Sequence, residues 1–108
     1  MSAVSISDLR SFVSAGKILW TEHVALRLRE RKIKRVDVIN CIQVGGIIEQ
    51  YPTATPFPSC LVVGTSLNGK PLHIVCGLNP GNYCCIITAY YPDSDKWELD
   101  NQTRKAGK

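Results

Sequence analysis

Two histidines, a line of arginines, a threonine and a tyrosine are the residues here whose types and spacing could do chemistry. His23, Arg27 and Arg31 follow one another at i, i+4 and i+8, so on a helix they form one line that drifts only about 40° per step. An imidazole exchanges a proton near neutral pH, and a guanidinium grips an oxyanion through paired N–H donors. In the second half of the chain, His73, Thr88 and Tyr90 are expected to converge on one sheet face, since strand side chains alternate. A helix-borne basic line set over such a His/Thr/Tyr cluster could hold a phosphate and move a proton beside it without a metal ion.

The charge distribution points to the same line. The chain of 108 residues carries 13 Lys plus Arg against 9 Asp plus Glu, a net +4. That excess lies in residues 22–35, where Arg27, Arg29, Arg31, Lys32, Lys34 and Arg35 meet only Glu22 and Glu30. An anionic partner would meet the protein there. Two plainer roles compete: a solvated helix face, or ion pairs from Arg27 or Arg31 to Glu30, Glu49 or the acids Asp93, Asp95, Glu98 and Asp100.

Other chemistries have weaker support. The 5 Cys are odd in number and form no spaced framework, which favours reduced thiols of a cytoplasmic protein over disulfides. No CxxC or HxxxH spacing occurs, so neither a metal site nor a cofactor is expected. Cys76 and Cys85 are expected to fill the core as small apolar groups, leaving Cys84 as the thiol on the face of His73. No apolar run approaches the roughly 20 residues that span a bilayer, and no export signal is visible, so no membrane partner is expected. With 44% apolar and 20% charged residues, the composition is that of one globular domain and excludes an acidic disordered chain.

The elements that must position these groups follow from periodicity. Ser7 is read as the start of a short helix carrying Leu9, Phe12 and Val13 to Gly16, followed by an extended link over 17–20. Thr21 caps a second helix of about 22–31, with Val24 and Leu28 turned inward, and a third runs from about Arg35 to Val44 before Gly45-Gly46 stops it. From Ile47 the pattern turns to β-branched runs: Ile47 to Tyr51, Cys60 to Thr65, Leu72 to Cys76 and Cys84 to Tyr91. The fold class expected is α+β, with two to three N-terminal helices packed on one face of a four-stranded, mainly antiparallel sheet. Residues 1–100 form the single domain, and 101–108, with Arg104, Lys105 and Lys108, a flexible basic tail; Trp97 is expected to anchor the acidic stretch before it.

If Asn68-Gly69 and Pro80-Gly81 are two-residue turns, Gly64 lies opposite His73, His73 opposite Thr88, and Cys76 opposite Cys85. The core face then collects Leu61, Val63, Thr65, Leu72, Ile74, Cys76, Cys85, Ile87 and Ala89. The other face collects Val62, Gly64, His73, Val75, Ile86, Thr88 and Tyr90.

The run Thr21-Glu22-His23 through Arg27, Arg31 and Ile33, then Val38-Ile39, Leu72-His73-Ile74-Val75, Ile87-Thr88-Ala89-Tyr90, and Pro92-Asp93 with Trp97 resembles bacterial proteins of domain of unknown function 4258. That resemblance implies a RelE-like fold in the RelE and BrnT toxin-like superfamily, small proteins often encoded beside an antitoxin, several of them messenger-RNA endonucleases. It also implies RNA and a cognate antitoxin-like protein as partners. Where such proteins commonly carry Gly after the helix-ending Arg, this chain has Lys32, and Lys34 stands where a small polar cap is usual. Metal-free RNA cleavage needs activation of the 2′-hydroxyl, charge stabilisation at phosphorus and protonation of the leaving 5′-oxygen. The expected catalytic groups are His73 with Tyr90 or His23, and the expected substrate contacts are Arg27, Arg31 and Thr88. The alternative is a non-catalytic module whose basic helix docks an acidic protein or a nucleic-acid backbone.

Overall fold

Alternating apolar runs need a partner layer, and the amphipathic first half of the chain supplies it. The computed structural model describes residues 4–92. The order is α1 (Ile6–Ser14), β1 (Ile18–Trp20), α2 (Glu22–Glu30), α3 (Arg35–Val44), β2 (Gly46–Tyr51), β3 (Ser59–Thr65), β4 (Pro71–Leu78) and β5 (Cys84–Tyr90). The architecture of the described residues is therefore mixed α+β, with three helices and one sheet. That sheet has five strands in the order β1-β5-β4-β3-β2, not four. The expected link over 17–20 is the additional strand: Ile18, Leu19 and Trp20 pair in parallel with Cys84, Cys85 and Ile86. Three residues are too few to show a period of two. The domain boundary at 100, the tail 101–108 and the Trp97 anchor lie outside the described residues.

The helix ends follow local chemistry. Ser5, not Ser7, caps α1, its Oγ accepting from the Asp8 N–H at 3.4 Å, and Thr21 caps α2, its Oγ1 accepting from the Val24 N–H at 3.1 Å. Lys34 has no capping oxygen, and Asp37 serves instead. One carboxylate oxygen accepts from the Lys34 N–H at 3.1 Å and the other from the Leu67 N–H at 3.0 Å, joining α3 to the β3–β4 turn. Arg10 of α1 donates to the carbonyls of Ile42 and Gly45, satisfying the C-terminal end of α3.

Strand register departs from the expected pairing, and the cause is a repeated turn. At the first hairpin the Ser66 N–H donates to the Lys70 carbonyl at 2.9 Å and the Gly69 N–H to the Ser66 carbonyl at 3.0 Å, while Gly69 alone of the loop has a positive φ of 82°. That is a three-residue loop, a type I turn closed by a left-handed residue, in place of the two-residue turn expected of Asn-Gly. The second hairpin repeats it: Asn79 N–H donates to the Tyr83 carbonyl at 3.1 Å, Asn82 N–H to the Asn79 carbonyl at 3.0 Å, and Asn82 has φ 65°. Each turn adds one residue to its connection.

Consequently His73 pairs with Val63 rather than Gly64, and with Tyr90 rather than Thr88. A bulge between Val75 and Cys76 leaves Ile87 without a cross-strand partner and restores the expected parity beyond it. The helix-covered face holds Cys60, Val62, Leu72, Ile74, Cys76, Cys84, Ile86 and Ala89, buried with Val24, Leu28, Val38, Cys41 and Ile42. Leu61, Val63, Thr65, Cys85 and Ile87, expected in that core, do not join it; Val62 and Ile86, expected outside, do. Gly64 also faces the helices, because a Cβ there would meet the Cys41 carbonyl oxygen at 2.5 Å, so only glycine lets α3 cross β3 this closely. On the far face the ring of Phe57 and the carbonyl of Pro58 lie over Gly77.

All 5 Cys are thiols, and Cys41, Cys60, Cys76 and Cys84 are buried. Burial pushes the Cys41 thiol up to about 12. Cys76 is held well above the ordinary range by hydrogen bonding with the Cys60 and Cys84 thiols and then by burial. Above pH 9 the unfolded chain loses thiol protons that the folded chain keeps, so stability is full below pH 9 and falls as pH rises towards 12. Urea unfolding at pH 10 should give a stability about 1 kcal/mol or more below that at pH 7. A Cys41→Ser variant should lose part of that pH dependence.

Candidate functional site

The basic line belongs to α2, whose Val24 and Leu28 are 2% and 3% exposed and seat the helix on the sheet. That orientation decides what each polar residue can reach. His23, one residue into the helix, is exposed. Arg27 turns along the helix and pairs with Glu30, Nη1 to Oε1 at 3.0 Å. Arg31 ends the helix and reaches the sheet: its Nη1 donates to the Ala89 carbonyl at 2.8 Å and to Thr88 Oγ1 at 3.2 Å.

The reason lies in the shortness of β1. It pairs only with Cys84–Ile86, so the remaining stretch of β5 presents an open edge on that side, and an unpaired strand edge needs donors. Arg31 supplies them, reaching around the rim from the helix-covered face to Thr88 on the other. Tyr90 lies two residues along the same strand, its ring centroid 5.3 Å from that of His73 at an interplanar angle of 59°. The fold thus brings Arg31 to Thr88, and Tyr90 to His73, on successive outward positions of β5. It does not bring His23 or Arg27 into hydrogen-bonding contact with that group among the described residues. His73 is fully buried and Tyr90 half-buried, so the side chains facing solvent are those of α2 and the segment after it.

Lys32 has a structural role that the sequence pattern signals. Its φ of 59° is left-handed, with the Ile33 N–H bonded to the Leu28 carbonyl at 2.8 Å and the Lys32 N–H to the Arg29 carbonyl at 3.2 Å. This is a Schellman termination, closed by buried Leu28 against buried Ile33. Glycine suits such a position best, so lysine here gives up backbone stability and adds an exposed cation. Next to it, Lys34 and Arg35 are exposed, and the Arg35 guanidinium lies 5.0 Å from the centroid of a Trp20 ring.

The opposite border of this basic segment is one that sequence reasoning missed. Tyr91, just beyond β5, points its hydroxyl at the Lys32 carbonyl, 3.4 Å away, and Lys70 Nζ lies 5.7 Å from the centre of its ring. A shallow groove of about 250 Å³ is lined there by Lys70, Pro71, Tyr91 and Pro92. Adjacent Tyr90-Tyr91-Pro92 was the available signal, since alternation sends one ring to each face. Among the described residues no group of His, Cys, Asp or Glu is arranged to hold a metal ion, and no helix is long and apolar enough to cross a membrane.

Three helices on one face of a mostly antiparallel sheet, with an arginine on the open rim of β5, define a small α+β protein with a basic helical margin. The sequence profile of the family described as domain of unknown function (DUF4258) matches residues 20–91, and the chain belongs to that family. No curated protein and no solved structure matches the chain.

Two substitutions check the geometry by urea unfolding. Arg31→Ala should lower stability by about 1–2 kcal/mol, since the Ala89 carbonyl loses a charge-assisted donor, and Arg31→Lys should recover less than half. Lys32→Gly should raise stability by up to about 1 kcal/mol by relieving the left-handed lysine.

Proposed function

We propose that the protein binds RNA through the α2–α3 segment, as a toxin-like member of the RelE and BrnT superfamily. The observation that carries this reading is the state of the cations there. Arg27, Arg31 and Arg35 are engaged by Glu30, the β5 edge and Trp20. Arg29, Lys32 and Lys34 are exposed with no ion pair among the described residues. Phosphates supply the charge that such an unneutralised surface lacks, and counterion release makes the contact favourable.

Metal-independent cleavage is the finer form of this proposal. An RNA strand lying along α2 would meet His23 as its accessible proton-transfer group, with Arg27 and Arg31 beside it for the phosphate. Tyr90 with Thr88 stands at the rim behind them, and buried His73 would act by positioning Tyr90. A second reading, docking of an acidic protein such as a cognate antitoxin, draws support from Leu26 and Val36. Both are 49% exposed and stand among the same cations, an apolar and basic mixture that suits a protein interface.

The decisive measurement is binding of a mixed-sequence single-stranded RNA over a salt series. RNA affinity should fall steeply with salt, and Arg29→Glu, Lys32→Glu and Lys34→Glu together should flatten the log–log slope by about 2. No binding at low salt, or an unchanged slope, would sink the RNA reading. Incubation with RNA, with and without ribosomes, should yield fragments that disappear in His23→Ala and in Arg27→Ala. Fragments surviving both changes would remove cleavage from α2.

A further inference from the structure

The groove beside Tyr91 stands next to the basic segment without being part of it, and its lining is of a different chemical kind. Two proline rings and a phenol ring give it flat apolar walls, and one ammonium group stands at its mouth. We propose that this groove is a stacking site for an unpaired nucleobase of the bound RNA, with Tyr91 as the platform. The inference rests on the RNA reading above and adds to it a preference for a single strand, because a base inside a duplex must first give up its pairing and stacking to enter the groove.

Three features support it. First, Tyr91 is 36% exposed, and its hydroxyl is directed at the Lys32 carbonyl, 3.4 Å away, which orients the ring along the groove wall. Second, Lys70 Nζ lies over the electron-rich face of the ring, 5.7 Å from its centre. Lys70 is exposed, so its flexible stem can swing from the ring to a phosphate as a base takes the place of the ammonium. Third, Tyr91 contacts Lys32, the middle one of the three cations that form no ion pair among the described residues. A strand with its phosphates along Arg29, Lys32 and Lys34 therefore reaches the groove without crossing a gap. Pro71 and Pro92 are rigid and lack an N–H, so the walls offer shape without hydrogen-bond readout, and the site should accept any base.

The test compares two single-stranded oligonucleotides of equal length and charge, oligouridine and its abasic counterpart, binding the full chain at one low salt concentration and then over a salt series. Oligouridine should bind about tenfold more tightly. Tyr91→Ala should abolish that preference while leaving the salt slope unchanged, and Tyr91→Phe, which keeps the ring, should retain it. Equal affinity for the two strands, or a preference that survives Tyr91→Ala, overturns the stacking site and leaves the RNA reading standing. Failure of both strands to bind overturns both. Occupation of the groove by a proline-rich peptide, with no RNA bound, assigns it to protein recognition and also overturns the proposal.

Discussion

The register of β4 against β3 and β5 is the constraint on which the rest of the molecule depends. Side chains alternate, so a shift of one residue sends every group on a strand to the opposite layer. Two hairpins set that register here, each with three loop residues and a left-handed residue at its end, Gly69 in one and Asn82 in the other. Extra residues at the turns send Cys60, Val62 and Ile86 under the helices and Leu61 away from them. The bulge at Ile87 then adds a further residue within β5, so that Thr88 and Tyr90 return to the side of His73. Without that bulge Tyr90 would turn into the helix-covered core and Arg31 would find no hydroxyl across the rim.

The shape of β1 completes the arrangement. A longer first strand would cover the edge of β5 and leave Arg31 nothing to satisfy. Being three residues long, it ends at Trp20, lets the chain turn into α2 at Thr21, and leaves one carbonyl-bearing edge within reach of the last turn of that helix. Local chemistry thus separates the cations by task. Those that meet Glu30, the β5 edge or Trp20 have partners within the protein, and Arg29, Lys32 and Lys34 stand in water.

Much of this was legible in the sequence. The spans of α2 and α3, the capping by Thr21, the inward Val24 and Leu28, the α+β class and the DUF4258 resemblance all follow from helical period, cap chemistry and short motifs. The basic line could be written down from spacing alone, and Arg27 meets Glu30 as one of the competing roles allowed. The turns were not legible in the same way. Asn-Gly fits both a two-residue and a three-residue hairpin, and the choice depends on how the flanking strands must twist to pack on the helices. The burial of His73 followed the same uncertainty, because no local signal says what covers the second face of a sheet.

The position of Lys32 illustrates how stability and surface charge trade against one another. A left-handed residue between two helices favours glycine, and the Schellman bonds around it would form at least as well with one. Lysine instead adds a cation to the turn between α2 and α3, next to Arg31 in the chain, while its carbonyl receives the Tyr91 hydroxyl. The strain is of order 1 kcal/mol, small against the burial of Leu28 and Ile33 that closes the same turn. Because the turn is fixed at both flanks by that burial, the backbone from which the lysine stem projects has a defined place relative to the helix and the sheet, which a lysine on a flexible loop would lack.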